Sequence, residues 1–330
     1  MLLVGDIGGT NTRVAVLPKL PGKPLLETKV PSQEHPSLQS ALKAALKGTK
    51  FKFEAACFGI AGPVIDNRCH ATNLPWKVDG RSLGKAMKIP HVVLLNDLVA
   101  LGWGALHAKK SQLIALNGTK LPATKGANLC ILAAGTGLGE AALVWDSASQ
   151  KHVPLGTEGG HSDYAPKNPL EEEVLIFFQS RHGRVSTERV LSGPGLKALY
   201  EFFRDVKHLV PGELPIAGED FSAEVTRIGL AGTCPVARAA VDFFVATYGA
   251  ETGNVALRYF ASGGVYVAGN IAVTLAERLK SSQFRDAFTS KGRFSPLLET
   301  LPVALVTDSN IGLHGAAVLA RSLSKGRARR

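Results

Sequence analysis

The sequence predicts an α/β protein of two domains. Three observations carry that prediction: the length, a strand, glycine-rich turn, strand unit that occurs twice, and alternating β-rich and helix-patterned runs between the two occurrences. At 330 residues the chain is about two domains long, at roughly 150 residues each. Such a chain buries about three quarters of its unfolded surface without disulfide or metal staples. A composition 45% hydrophobic and 20% charged excludes disordered and fibrous classes.

In chain order, Leu2–Val4 reads as an apolar strand, Asp6–Asn11 as a turn and Arg13–Leu17 as a second strand. Ser37–Leu46 has helical spacing, Ala55–Gly59 and Val92–Leu95 are short β-rich runs, and Asp97–Leu106 follows as a helix. Leu129–Ala133, Gly135–Gly139 and Ala141–Trp145 then repeat the opening unit, with Gly135 where Gly8 stood. Asn168 caps a helix entered through Pro169, with Glu171, Glu172 and Glu173 in its first turn and Gly183 past its end. Thr233 and Pro235 open a long helix toward Arg258, and a last helix, about Gly312 to Leu323, follows the strand Val303–Val306. The expected boundary lies near residue 108. It separates a small domain, 1–107 plus about 307–330, from a large one, 108–306, with both glycine turns pointing at a shared cleft.

Cys57, Cys69, Cys130 and Cys234 lie far apart with no C-x-x-C pair, which argues against a zinc ribbon or redox motif and fits buried thiols in a reducing compartment. Glu140 and Arg258 interrupt the longest apolar runs, so no membrane span is expected. The opening Met1–Asp6 has no basic region before its acid, so a strand is expected there and not a signal peptide, and the location is cytoplasmic. The balance of 38 basic against 27 acidic residues gives +11, which suits nucleic acid or a site that handles phosphates. Part of that excess, Arg321, Lys325, Arg327, Arg329 and Arg330, sits in a tail expected to be frayed and solvated.

The turns carry the most specific chemistry. Glycine lets the backbone adopt positive φ and approach a ligand, so that consecutive N–H groups form a nest for an anion. Beside that nest, Asp6 is either a turn former or a carboxylate holding a water on Mg²⁺. The Gly135–Gly139 run does not match G-x-G-x-x-G and leads into a strand, which excludes a Rossmann turn; no P-loop or protein-kinase catalytic loop is present. Asp97, directly after the apolar run Val92–Leu95, is either part of an Asn-Asp helix cap or the base that phosphoryl transfer to an alcohol needs. Glu158-Gly159-Gly160-His161 offers directional partners for sugar hydroxyls on a flexible backbone, with a metal site at His161-Ser162-Asp163 as the rival reading. Glu188 is either a first-turn helix carboxylate or a further ligand.

Taken together, Asp6-Ile7-Gly8-Gly9-Thr10-Asn11-Thr12-Arg13, Asn96-Asp97, Ala134–Gly139, Glu158–His161 and Ser186–Gly195 resemble, in order, the motifs of the bacterial-type glucokinases. Echoes at Phe58–Pro63, Thr72–Trp76 and Lys291–Phe294 extend the resemblance over nearly the whole chain. The resemblance implies an actin-like, ribonuclease H-like sugar kinase fold with a central cleft, and ATP- and Mg²⁺-dependent phosphorylation of glucose at its 6-hydroxyl in a homodimer. Neither a nucleic-acid nor a membrane partner is expected, since no apolar run is long enough to span a bilayer and no DNA reader is recognised. The resemblance makes Asp97 the base, and Asn96, Asp97, Glu158, His161 and Glu188 the sugar ligands. Gly5, Asp6, Ile7, Gly8, Gly9, Thr10, Asn11, Gly135, Thr136, Gly137 and Gly269 become nucleotide ligands, and Asp6 holds Mg²⁺ through water. Asn270 stands where family members usually have a second glycine, which puts the adenine-side contacts in question. The alternatives are a kinase for another hexose or amino sugar and a sugar-responsive regulator of the ROK group. The regulator would need a DNA reader, and the chain opens directly on the phosphate strand.

Overall fold

The computed structural model describes residues 1–19, 22–216 and 220–325. The chain divides into two compact units. The first holds Met1–Lys109, Pro154–Gly156 and the residues from Asp308 onward; the second holds Lys110–Val153 and Thr157–Thr307.

In the first unit, β1 (Leu2–Ile7), β2 (Asn11–Leu17) and β3 (Leu26–Pro31) precede α1 (Leu38–Ala45) and β4 (Ala55–Ile60). Three short strands, β5 (Val64–Ile65), β6 (Arg68–His70) and β7 (Lys77–Asp79), form a separate antiparallel sheet. Then come α2 (Gly80–Met87), β8 (His91–Asn96) and α3 (Asp97–Leu106). The main sheet runs β3-β2-β1-β4-β8, antiparallel through its first three strands and parallel from β1 onward.

The second unit contains β9 (Leu113–Ala115), β10 (Leu129–Ala134), β11 (Leu138–Asp146) and β12 (Lys151–Thr157), of which 154–156 count with the first unit. Seven helices follow: α4 (Pro169–His182), α5 (Thr187–Val190), α6 (Gly193–Asp205), α7 (Phe221–Ala231) and α8 (Pro235–Arg258), then, after β13 (Gly264–Ala268), α9 (Asn270–Thr274) and α10 (Ala276–Leu279). Next are α11 (Ser282–Thr289), α12 (Ser295–Thr300) and β14 (Val303–Val306). The sheet order is β12-β11-β10-β13-β14-β9. An antiparallel hairpin followed by two parallel strands recurs in both units, β2-β1-β4-β8 in one and β11-β10-β13-β14 in the other, as the repeated motif predicts. The final helix, α13 (Ile311–Lys325), belongs to the first unit.

Strand alternation explains the two cores of the first unit. Leu2 and Val4 pack with Leu313, Ala316, Ala317 and Ala320 of α13 on one face, while Leu3 and Ile7 pack with Leu38, Leu42 and Trp76 on the other. Glycines bring α13 against α3: a methyl group at Gly104 would strike Ile311 O, and one at Gly315 would strike Ala100 O. The second unit buries a larger core around α8, including Phe178, Phe202, Phe244, Tyr248 and Phe284. All four cysteines are free and buried, and burial pushes the Cys57 thiol up to about 12. Among the described residues no single helix is long and apolar enough to cross a membrane.

Several local expectations need correction. Asp6 and Ile7 belong to β1, because the ladder continues through the pairs Asp6↔Arg13 and Ile7↔Thr12. Leu138 and Gly139 likewise belong to β11. Cys234, not Thr233, caps α8, its Sγ accepting from Ala237 N at 3.5 Å. Arg321 lies within α13, whereas Arg327, Arg329 and Arg330 lie outside the described residues.

Candidate active site

In the first unit the β1–β2 turn closes with Gly8 N donating to Asn11 O at 3.0 Å, which leaves Gly9 and Thr10 at its tip. Ser32, which no motif marks, fixes this tip. Its hydroxyl donates to Gly8 O at 2.7 Å and lies 3.0 Å from Thr12 Oγ1, and its N–H donates to Thr10 O at 2.9 Å. Gly5 and Ile7 are buried in the sheet, so what they offer a ligand is backbone alone. Asp6 is half-buried on the α13 face: a Cβ at Gly312 would lie 3.7 Å from its Cγ. Burial pushes the Asp6 carboxyl above the usual carboxylate range, and the Arg13 guanidinium pulls the other way.

Asn96 caps α3. Its Oδ1 accepts from Leu98 N at 2.9 Å and Val99 N at 3.3 Å, while Nδ2 donates to Gly62 O at 3.2 Å. Asp97 is the first residue of the helix, and its Oδ1 also accepts from Leu98 N, at 2.9 Å. Gly59 admits this first turn, since a Cβ there would lie 2.9 Å from the Ala100 methyl carbon. The capping role is therefore real, and it fixes where the Asp97 carboxylate stands.

In the second unit the tip of the β10–β11 hairpin is Gly135, Thr136 and Gly137. Gly135 N donates to Gly137 O at 2.8 Å, and Gly135 O accepts from Gly193 N, also at 2.8 Å. Beneath it, the buried Tyr248 hydroxyl accepts from Ala134 N at 3.2 Å and donates to Ala268 O at 3.3 Å. Gly135 and Thr136 line a cavity of about 550 Å³ with Gly193, Phe221, Asn270 and Ile271, within the size range of small-molecule sites. Gly269 enters α9 at φ 96°, and a Cβ there would lie 2.8 Å from Ala134 O. A smaller hollow of about 270 Å³ shares Thr136, reaches Glu188 and has a basic rim of Arg181, Arg189 and Lys197.

Glu188 joins this turn to the predicted sugar ligands. Its Oε2 accepts from Leu138 N at 2.9 Å, and its Oε1 faces His161 Nδ1 at 3.7 Å. The other imidazole nitrogen, Nε2, lies 4.0 Å from Glu158 Oε2. Two links hold the segments together: Thr187 N donates to Ser162 O at 2.9 Å, and Arg184 Nη2 donates to His161 O at 2.7 Å.

The role expected of the turn glycines changes. Gly8, Gly9, Gly135, Gly137 and Gly139 lack a left-handed φ; at Gly9 and Gly137 what the glycine supplies is room, while a Cβ at Gly135 would meet open space. A side chain at Gly137 would strike the Glu188 carboxylate, one at Gly160 would strike Leu138 O, and one at Gly159 would strike Glu140 Oε2. The Glu158–His161 turn is thus packed down on β11 at its two glycines.

A family model described as Glucokinase matches residues 3–323. A glucokinase of Synechocystis sp. is 35% identical over 350 residues, covering 96% of this chain and 97% of the relative. The crystal structure of a glucokinase from an Antarctic psychrotroph superposes with a TM-score of 0.81 at 31% identity, covering 97% of this chain and 98% of that one. A ROK family glucokinase from Streptomyces griseus, solved with glucose and AMPPNP, shares the fold at a TM-score of 0.67 and 21% identity, covering 97% and 99%. The fold is the actin-like sugar kinase fold.

Proposed function

The chain belongs to the glucokinase family, and from that premise we propose that it is a glucokinase (EC 2.7.1.2), transferring the γ-phosphoryl group of ATP to the 6-hydroxyl of glucose. The observation that carries this reading is Glu188. One of its oxygens is bound at the foot of the glycine turn that lines the large cavity, and the other faces His161. A nucleotide-sized space and a cluster suited to hydroxyl groups are thereby built on one side chain.

In this reading the small domain, 1–107 with about 307–330, supplies the base, and the large one, 108–306, supplies most of the sugar contacts. Asp97 takes the 6-hydroxyl proton as the oxygen attacks the γ-phosphorus; the bond to the bridging oxygen breaks and ADP leaves. Its place at the start of a ten-residue helix stabilises the anionic form through the helix dipole. Asn96 spends its oxygen on the cap and keeps one amide hydrogen for the sugar. Glu158, His161 and Glu188 meet the other hydroxyls, accepting and donating as each requires. N–H groups at the two hairpin tips meet phosphate oxygens, and the adenosine lies by Gly269 and Asn270.

Asp6 fits a magnesium ion held through water. Its carboxyl is desolvated and Arg13 offsets this only in part, so a hydrated cation would restore the charge balance that burial disturbs. When bound, the ion would spread negative charge over the phosphate oxygens. The other groups act by placement, since a loose transition state needs alignment more than covalent help.

The test is a coupled assay of sugar 6-phosphate formation with Mg²⁺, run across glucose, mannose, fructose and N-acetylglucosamine, and across ATP, ADP and polyphosphate. Turnover with glucose and ATP that vanishes in Asp97→Ala is the expected result. Turnover only with another sugar, or none with any donor, overturns the assignment.

A further inference from the structure

Beneath the Glu158–His161 turn lies a polar cluster that the reaction above leaves unused. Glu140, on β11, has no exposed surface, and Glu251, on α8, is 3% exposed. Both lean on one cation: Arg258 Nη1 is 3.3 Å from Glu140 Oε2 and 2.8 Å from Glu251 Oε1. The two carboxyls are within hydrogen-bonding reach of each other; Glu251 Oε1 has the Arg258 guanidinium beside it, whereas Glu140 Oε1 is buried without a hydrogen-bond partner. A buried carboxylate oxygen left over beside a second carboxylate is satisfied by a single proton, carried as an acid on one side and accepted by a carboxylate on the other.

The surroundings fix this arrangement. Asn254 Nδ2 donates to Glu251 Oε2 at 2.8 Å, and Lys291 Nζ donates to Asn254 Oδ1 at 2.6 Å. Lys167 and Glu171 lie beyond Lys291, and the Cys130 thiol on β10 is the titratable group facing Glu140 from the sheet. On its other side the Glu140 carboxyl is the floor of the sugar turn. Its Oε2 occupies the space where Gly159 would carry a side chain. The Glu140 carbonyl accepts from Thr157 Oγ1 at 3.0 Å, which in turn accepts from Gly159 N at 3.2 Å.

We propose that Glu140 and Glu251 hold one proton between them and that Glu140 is a positioning residue for the Glu158–His161 turn, so that glucose affinity falls when the proton leaves. Without it, two carboxylates face one guanidinium. β11 and α8 are locked in the core, so the half-exposed turn above Oε2 is the part able to move. Burial and the Glu251 charge push the Glu140 carboxyl up to about 8, with Arg258 pulling the other way, which places the loss on the alkaline side of neutrality. The proposal rests on the glucose reading for its ligand only.

The experiment measures glucose Kd by calorimetry and glucose KM, ATP KM and kcat by assay, on both sides of about pH 8, for the native chain, Glu140→Gln and Glu140→Val. An infrared titration of the substrate-free protein follows the protonated carboxyl band in parallel. In the native chain glucose Kd and KM rise above that pH by about tenfold while ATP KM holds. Glu140→Gln, whose amide keeps the volume and donates in place of the proton, retains the neutral-pH affinity, flattens the profile and lacks the band. Glu140→Val weakens glucose at every pH. A native chain with no such band, a flat native profile, or a Gln variant that still titrates overturns the proposal, whether or not the valine variant folds. Glucose binding with the expected profile but without turnover overturns the kinase reading and supports the pair; no glucose binding at any pH overturns both.

Discussion

The β1–β2 and β10–β11 hairpins share a place in their sheets and a glycine-rich tip, yet their neighbours give them different chemistry. The first carries its own carboxylate, Asp6, one strand residue removed from the turn, and its tip is pinned by a nearby hydroxyl, Ser32. The second has a carboxylate of its own, Glu140, but buried within β11 and not aimed from the turn. It takes Glu188 from α5 and rests on Tyr248 from α8. A duplicated backbone therefore says where two tips will be, and the segments docked on each decide what they do. Groups of the first unit are held singly, by a strand or a helix cap; those of the second are held by one another, so a change at one is felt by its neighbours.

The comparison is sharpened first by Asp97→Asn, which keeps the cap geometry and removes the proposed base. The expected loss is roughly 10²- to 10⁴-fold in kcat, with glucose Kd little changed; near-native turnover would remove Asp97 from the chemistry. Next come paired glycine substitutions. In Gly137→Ala the new methyl meets Glu188, so glucose and ATP KM both rise, each by about tenfold. In Gly9→Ala it would lie 2.8 Å from Asn73 Cβ, which no rotamer change can move, so the tip itself must shift and an effect confined to ATP is expected. Equal responses would erase the distinction. Tyr248→Phe leaves Ala134 N and Ala268 O without their shared partner. Denaturation should show a loss of about 1–3 kcal/mol, with ATP KM raised and glucose KM unaffected.

The smallest expected effect is on stability against pH. Glu140 is raised from an ordinary value of 4.5 to about 8, so between those values the folded protein binds the extra proton and stability falls as pH rises. Lys291 is lowered from 10.5 to about 8, chiefly by burial, so its unfavourable contribution fades and stability recovers between those two values. Melting temperatures of Glu140→Gln should lose the first slope and keep the second.

What was legible in the sequence was local. The α3 boundaries follow from an Asn-Asp cap ahead of an apolar run, and they stand where expected. The first hairpin was drawn too short because Asp6 and Thr12 are polar, and polar residues at a strand end read as turn until their cross-strand partners are known. Asp97, Glu158, His161 and Glu188 could be singled out because their motifs are compact. Ser32, Tyr248 and Glu251 were not found, since each acts through a group distant in sequence and none sits in a motif. Glu140 had been visible only as a charge interrupting an apolar stretch; the physical signal was there, because a buried carboxylate needs a reason.

The packing of α13 on α3 through Gly104 and Gly315 bears on how the molecule is made. The residues that close one face of the first unit are synthesised some two hundred residues after Asp97. Until they arrive, Leu2, Val4, Ala55 and Cys57 present a bare apolar face. The helix bearing Asp97 lacks its main support for the same interval. A chain broken off before Asp308 would be sticky, and the base proposed at Asp97 would gain its support only once α13 is made.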